Sequence, residues 1–215
     1  MTPADIRDVH RILMEEFHAN PAPVVDFLAA QDRDPFKILV ATLLSARTRD
    51  QTTSQVVRNQ LFPVVRNFDD FRRLPLAEIE RLVHPVGFFR QKAKALKAMP
   101  DVVRDRFGGR IPDTVEALCE LPGVGRKTAN LVVALAFGKP AICVDVHVHR
   151  IMNRLGLVKT KTPLETEMAL RRILPEDVWT TWNACLVSHG QRCCTPRRPK
   201  CPACRIRPFC QFGGG

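Results

Sequence analysis

The sequence predicts an all-α fold. Apolar residues recur every three or four positions along most of the chain. No stretch keeps the two-residue alternation of a half-buried strand, and no Asn-Gly or Asp-Gly pair offers a tight hairpin turn. The connections between helical stretches are short and rich in Pro and Gly, which interrupt helices. With 215 residues, 45% of them hydrophobic, the chain suits one large domain or two small ones and can bury a core.

The first helix is expected over about residues 3–18, where Ile6, Val9, Ile12, Leu13 and Phe17 share a face. Asn20-Pro21-Ala22-Pro23 ends it. Asp34-Pro35 reads as an N-cap followed by proline at the first helical position. The stretch from Phe36 to Leu44 is apolar on nearly every side, as a central buried helix must be. Further helices are expected at about 50–61, 68–74, 76–83, 89–105, 113–120, 126–137, 147–155, 164–173 and 178–187. In the segment at 113, Asp113-x-x-Glu116 has the form of a capping box. That helix stops at Leu121-Pro122-Gly123-Val124-Gly125, and a largely apolar helix follows from Arg126. Gly123 and Gly125 permit positive φ and a close backbone approach. The N–H groups at the start of the second helix can hold a phosphate oxygen, a grip that ignores base sequence. The same five residues also make an ordinary helix–helix turn.

Charge narrows the class of partner. Thirty-three Lys and Arg against 22 Asp and Glu give a net charge of +11 and a pI of about 9.7. This excess favours a polyanion, nucleic acid first and an anionic membrane surface second; simple solubility is the plain alternative. No apolar run reaches the roughly 18–20 residues of a membrane helix. Asp5, Asp8, Glu15, Glu16 and Asp26 make the start too acidic for a signal or transit peptide. The expected compartment is therefore reducing, the cytoplasm or, in a prokaryote, its nucleoid.

Eight cysteines in such a compartment argue for metal ligation or buried thiols before disulfides. Cys194, Cys201, Cys204 and Cys210 follow the pattern C-x6-C-x2-C-x5-C. They lie in a final stretch that has no acid after Asp177 and carries Arg192, Arg197, Arg198, Lys200, Arg205 and Arg207. Four thiolates so close together need a metal centre. By spacing alone the centre is a [4Fe-4S] cluster or a zinc ion, since only one C-x2-C knuckle is present. Cys193 is left without a ligand role, and Cys119, Cys143 and Cys185 sit among apolar residues as packing thiols.

The run from Leu121 through Gly125 to Asn130, then Ala136-Phe-Gly-Lys-Pro140, then Val144-Asp-Val-His147, and finally the cysteine spacing, together resemble the endonuclease III family over about residues 3–211. These are helix-hairpin-helix DNA glycosylases with abasic-site lyase activity. The resemblance implies two α-helical domains flanking a DNA-binding cleft. Residues 28–140 would form a six-helix barrel carrying the hairpin, and residues 1–27 and 141–212 an iron-sulfur cluster domain. It chooses the [4Fe-4S] cluster over zinc and makes Cys194, Cys201, Cys204 and Cys210 its ligands. A 2+ cluster with four thiolates carries a charge of about −2, which the surrounding Arg and Lys offset. It implies a monomer acting on damaged duplex DNA, with no membrane involved.

The same resemblance gives Lys127 the role of nucleophile at the sugar C1′, forming a Schiff base as the base leaves. At an ordinary pKa near 10.4 only about one lysine in a few thousand is neutral at pH 7. A helix N-terminus and partial desolvation are expected to favour the neutral amine. Asp145 is given the role of stabilising oxocarbenium charge and assisting proton transfer; its plain alternative is an N-cap for the helix starting near His147. Leu121, Gly123, Val124, Gly125, Arg47, Phe88 and His147 would contact DNA, with Arg47 and Phe88 on loops that fill the space left by a flipped-out nucleotide; the plain alternatives are a phosphate contact for Arg47 and an ordinary core phenylalanine for Phe88. The implied activity is removal of oxidised pyrimidines followed by β-elimination. The alternatives are a monofunctional mismatch or adenine-type glycosylase and a non-catalytic, metal-stabilised DNA-binding module. Two departures bear on the substrate. Arg47 stands where better-known bacterial members carry Gln, and the chain has no Tyr, with Phe89 at a position that is often Tyr.

Overall fold

The computed structural model describes residues 1–19 and 33–213. The helix break at Asn20–Pro23, Asp26, the expected domain boundary at 27/28 and Gly214–Gly215 lie outside the described residues. The described residues hold eleven α-helices and no strand. None of these helices is long and apolar enough to cross a membrane. The chain divides into two compact units, Met1–Ala22 with Pro140–Gly215, and Pro23–Lys139.

In the first of these units, helix α1 (Ile6–His18) buries Ile6, Val9 and Leu13. In the second, α2 (Pro35–Ser45) is the buried helix that its composition demands, with every residue from Ile38 to Leu44 buried. Asp34 caps it, Oδ1 accepting from the Phe36 N–H at 2.9 Å, with Pro35 in the first turn. Thr42, its one buried polar side chain, donates to the Ile38 carbonyl at 2.6 Å and leaves nothing unsatisfied. Helix α3 (Asp50–Val56) runs on into a π-helical turn at Val57–Leu61, so the single helix expected over 50–61 changes its hydrogen-bond pattern midway. Helices α4 (Phe68–Arg73), α5 (Leu76–Val83) and α6 (Phe89–Phe107) follow, with α4 and α5 both packed on α6. A short α7 (Val115–Leu118) leads through the hairpin to α8 (Arg126–Phe137), which lies along α2.

The capping box expected at Asp113 is not what starts α7. Thr114 is the N-cap, its hydroxyl accepting from the Ala117 N–H, while Asp113 turns away to pair with Lys139 at 2.6 Å. A tertiary ion pair takes the carboxylate, and the next hydroxyl in the chain takes over the cap.

Helices α9 (Val146–Leu155), α10 (Pro163–Ile173) and α11 (Trp179–Arg192) belong to the first unit. Val148, Ile151, Met152 and Leu155 form one buried stripe of α9 at the i, i+3, i+4, i+7 spacing. They meet Ile6, Val9 and Leu13 of α1 and Trp182, Cys185 and Leu186 of α11 in one core. Each such side chain contributes about 1.5–3 kcal/mol of burial before entropy is counted. That core is what holds the start of α9 and the end of α11 in place beside the cysteine segment.

Candidate nucleic-acid interface and metal centre

The hairpin between α7 and α8 is built on one glycine. Gly123 has φ +75°, and a Cβ there would lie 2.8 Å from the Ala95 Cβ and 3.3 Å from Leu43. Both its conformation and the packing of α2 and α6 exclude a side chain. Gly125 differs from the expectation. Its φ is −95°, a Cβ would meet nothing within 4 Å, and it serves as the N-cap of α8 without contributing a capping side chain. Leu121 and Val124 are buried and cannot reach a ligand with their side chains. What this turn can offer DNA is backbone, at a helix start whose N–H groups carry the positive end of the dipole.

Lys127 stands in the first turn of α8 and is exposed. Asp145 is 8% exposed and is the N-cap of α9. Its Oδ1 accepts from the His147 and Val148 N–H groups at 2.8 and 3.0 Å. The plain reading of Asp145 as a cap therefore describes one of its two oxygens. His147, next along, is held by the Arg150 guanidinium at 3.1 Å from Nδ1 and lies against Gly190, where a Cβ would come within 2.5 Å of that nitrogen.

Arg47 and Phe88 sit on two adjoining turns of the Pro23–Lys139 unit. Phe88 is 53% exposed and precedes α6 in the left-handed conformation, φ 58°; Arg47 is left-handed too, φ 53°. The Arg47 guanidinium lies 5.4 Å from the centre of the Phe88 ring. Phe89 instead turns edge-on to His84, so the two neighbouring phenylalanines have different jobs.

The four cysteines of the C-x6-C-x2-C-x5-C pattern line a single small cavity, together with Cys193, Arg154 and Arg207. The segment is pinned to α9 by two arginines that sequence reading passed over. Arg150 donates to the Cys194 carbonyl at 2.8 and 3.2 Å. Arg154 donates to the Thr195 and Pro196 carbonyls, both at 2.8 Å, and its guanidinium lies 3.3 Å from Cys194 Sγ. Their i, i+4 spacing on the helix that Asp145 starts was the available signal. The donor set suits a four-thiolate centre, because convergent sulfurs meet cations that offset their charge.

His189 was also missed. It is buried, its Nδ1 is 2.9 Å from Glu16 Oε2, and its Nε2 is 3.6 Å from Cys204 Sγ. Burial alone would lower its pKa. The bonds to Cys204 and Glu16, and their charge, more than offset this and raise it to about 9. Among the described residues, His189, Cys193 and Cys204 bring potential ligand atoms within 4.8 Å of one another. Cys204 thus belongs both to this group and to the four-cysteine cavity. Burial pushes the Cys193 thiol up, as befits a neutral thiol beside the cavity.

Comparison with known proteins gives consistent results. The model of the HhH-GPD superfamily of base excision DNA repair proteins matches residues 40–176. Endonuclease III of Thermotoga maritima is 44% identical over 182 residues, covering 85% of each chain. Among solved structures, a non-covalent endonuclease III–DNA complex matches 100% of this chain and 97% of its own with a TM-score of 0.87 at 33% identity. A trapped covalent endonuclease III–DNA intermediate, the estranged-adenine complex, matches with the same score and identity, covering 100% of this chain and 98% of its own.

Proposed function

The chain belongs to the HhH-GPD superfamily of base excision DNA repair proteins, in its endonuclease III family, and from that membership we propose that it is a bifunctional DNA glycosylase and abasic-site lyase acting on oxidised pyrimidines in duplex DNA. One observation carries the reading: a lysine in the first turn of the helix behind the Gly123 hairpin, in a fold shared with a covalently trapped endonuclease III–DNA intermediate. The hairpin backbone grips the phosphate chain, and the target nucleotide leaves the stack. Lys127 Nζ attacks C1′ as the bond to the base breaks, and the sugar ring then opens at the C1′–O4′ bond, O4′ taking a proton, to give the Schiff base; on a preformed abasic site the amine condenses with the C1′ aldehyde and water leaves. β-Elimination then cleaves the strand, and hydrolysis returns the free lysine.

Asp145 supplies negative charge where C1′ becomes positive, an interaction stronger in the transition state than in the ground state. The direct test is a defined duplex carrying one oxidised pyrimidine. Release of the base and incision at the resulting site are expected together. Base release without incision would favour a monofunctional glycosylase, and failure to incise an abasic duplex a non-catalytic module.

Cys194, Cys201, Cys204 and Cys210 would hold a [4Fe-4S] cluster. When bound, it supplies a rigid cross-link for the cationic segment and takes no part in bond cleavage. His189 then serves as a hydrogen-bond donor to the Cys204 sulfur. Purified protein is expected to be yellow-brown with broad visible absorption and to contain iron and sulfide in equal amounts. Colourless protein with stoichiometric zinc would refute the cluster. Cys201→Ser should weaken DNA binding before it slows the chemical step, and raising the DNA concentration should recover part of the loss.

Phe88 and Arg47 fill the gap left by the extruded nucleotide, Phe88 by stacking and Arg47 by donating to the orphaned base. Phe88→Ala should lose excision from a fully paired duplex and retain much more on a mismatched lesion, whose base is cheaper to extrude by a few kcal/mol. Equal losses on both would count against Phe88 as the group that fills the gap.

A further inference from the structure

The two turns that carry Arg47 and Phe88 are joined by a buried lysine that neither the hairpin nor the cysteine segment explains. Lys92 lies in the second turn of the α6 helix and is 9% exposed, an unusual place for a lysine. Its three donors have three acceptors: the Leu44 carbonyl at 2.8 Å, the Ala46 carbonyl at 2.6 Å and Thr48 Oγ1 at 3.1 Å. The two carbonyls belong to the C-terminal end of α2, where the last C=O groups lack helical partners and the dipole is negative. Thr48 Oγ1 accepts a second hydrogen bond, from the Gly87 N–H at 3.1 Å, and lies 3.3 Å from the Ala46 carbonyl to which it donates. One hydroxyl therefore links the amine, the 46–48 turn and the 86–88 turn.

The turns also touch directly. A Cβ on Gly87 would lie 2.5 Å from the Arg47 carbonyl oxygen, so only glycine lets the two backbones come this close. Arg47 and Phe88 each hold a left-handed conformation that non-glycine residues avoid. Such a conformation persists only where the surroundings over-determine it.

We propose that Lys92 is a positioning residue that locks these two turns into one rigid element, so that Arg47 and Phe88 enter the DNA stack as a pair. This rests on the reading of those two side chains as the groups that fill the vacated space. Burial pulls the Lys92 amine down to about 8, and the three acceptors stand where water would otherwise meet its donors. The same helix holds a natural control. Lys97 donates to the Phe71, Arg72 and Leu74 carbonyls at 3.3, 2.7 and 2.6 Å, capping α4 through three acceptors that are all backbone carbonyls. The end it caps carries neither turn.

Three variants separate a brace from a merely stabilising lysine: Lys92→Met, Thr48→Val and Lys97→Met. Each is assayed on one lesion in a fully paired duplex and in a mismatched duplex, and the exchange of the Gly87 N–H is followed by NMR. Lys92→Met and Thr48→Val should lower the paired-to-mismatched excision ratio by about tenfold and speed Gly87 exchange. Lys97→Met should lower thermal stability while leaving both readouts in place. Thr48→Val keeps the two carbonyl caps, so it reports on the link even where Lys92→Met folds poorly. The losses from Arg47→Ala and Phe88→Ala should be non-additive in the parent and additive in Thr48→Val.

An unchanged ratio in Thr48→Val with unchanged Gly87 exchange would overturn the brace, as would an equal shift of the ratio in Lys97→Met. Failure of the stack-filling reading looks different: Phe88→Ala itself would leave the ratio unmoved, while Gly87 exchange in Thr48→Val would still quicken.

Discussion

Lys127→Ala is expected to form no borohydride-trapped adduct with abasic duplex DNA, under conditions in which the parent protein is captured quantitatively. Reduction by borohydride fixes an iminium, and only a side-chain amine bonded to C1′ supplies one at this position. The variant should otherwise resemble the parent. Lys127 is exposed in the first turn of α8, and alanine is a good helix former, so the cost in stability should stay within about 0.5 kcal/mol. The hairpin backbone is untouched, and DNA binding should remain within a few-fold. Gel analysis of trapped product beside a binding titration checks both. Efficient trapping by the alanine variant would show that another amine is the nucleophile. Loss of trapping together with loss of binding would reduce Lys127 to a phosphate contact.

Asp145→Asn carries the second large effect and separates the observed cap from the proposed electrostatic role. Asparagine caps a helix about as well as aspartate, so the bonds from the His147 and Val148 N–H groups should survive. What disappears is the charge. If that charge stabilises the oxocarbenium-like sugar, base excision should fall by several orders of magnitude; loss of a single preorganised electrostatic partner typically costs at least about a hundredfold to a thousandfold. Binding should hold or tighten, because a negative group near the phosphate chain has gone. Asp145→Ala should behave differently again, adding about 1 kcal/mol of lost stability from the missing cap. Single-turnover excision measured beside thermal unfolding distinguishes these cases. An asparagine variant near the parental rate would mean that Asp145 only caps α9.

The helical class of the fold was legible because it needs only periodicity, and periodicity is local. The apolar run 36–44 gave a buried helix, and Asp34-Pro35 gave its start, since a capping side chain acts on the next two residues. The Gly123 hairpin and the cysteine spacing were legible for the same reason. Their chemistry is written in short stretches of chain.

What the sequence could not decide is which of several eligible groups takes each long-range partner. Asp113 and Thr114 could both cap α7, and a lysine 26 residues away took Asp113. Gly123 and Gly125 looked alike, but only Gly123 faces Ala95 and Leu43 and takes a positive φ. Lysines are usually solvated, so nothing at Lys92 announced a buried amine bonded across 44 to 48 residues to three oxygens. His189 reaches Glu16 across 173 residues, and Arg150 and Arg154 reach the cysteine segment across 40 or more. Local sequence fixes backbone conformation through sterics and short-range hydrogen bonds. Which charge is buried, and against what, depends on which helices pack together, and that is settled only when the whole core forms.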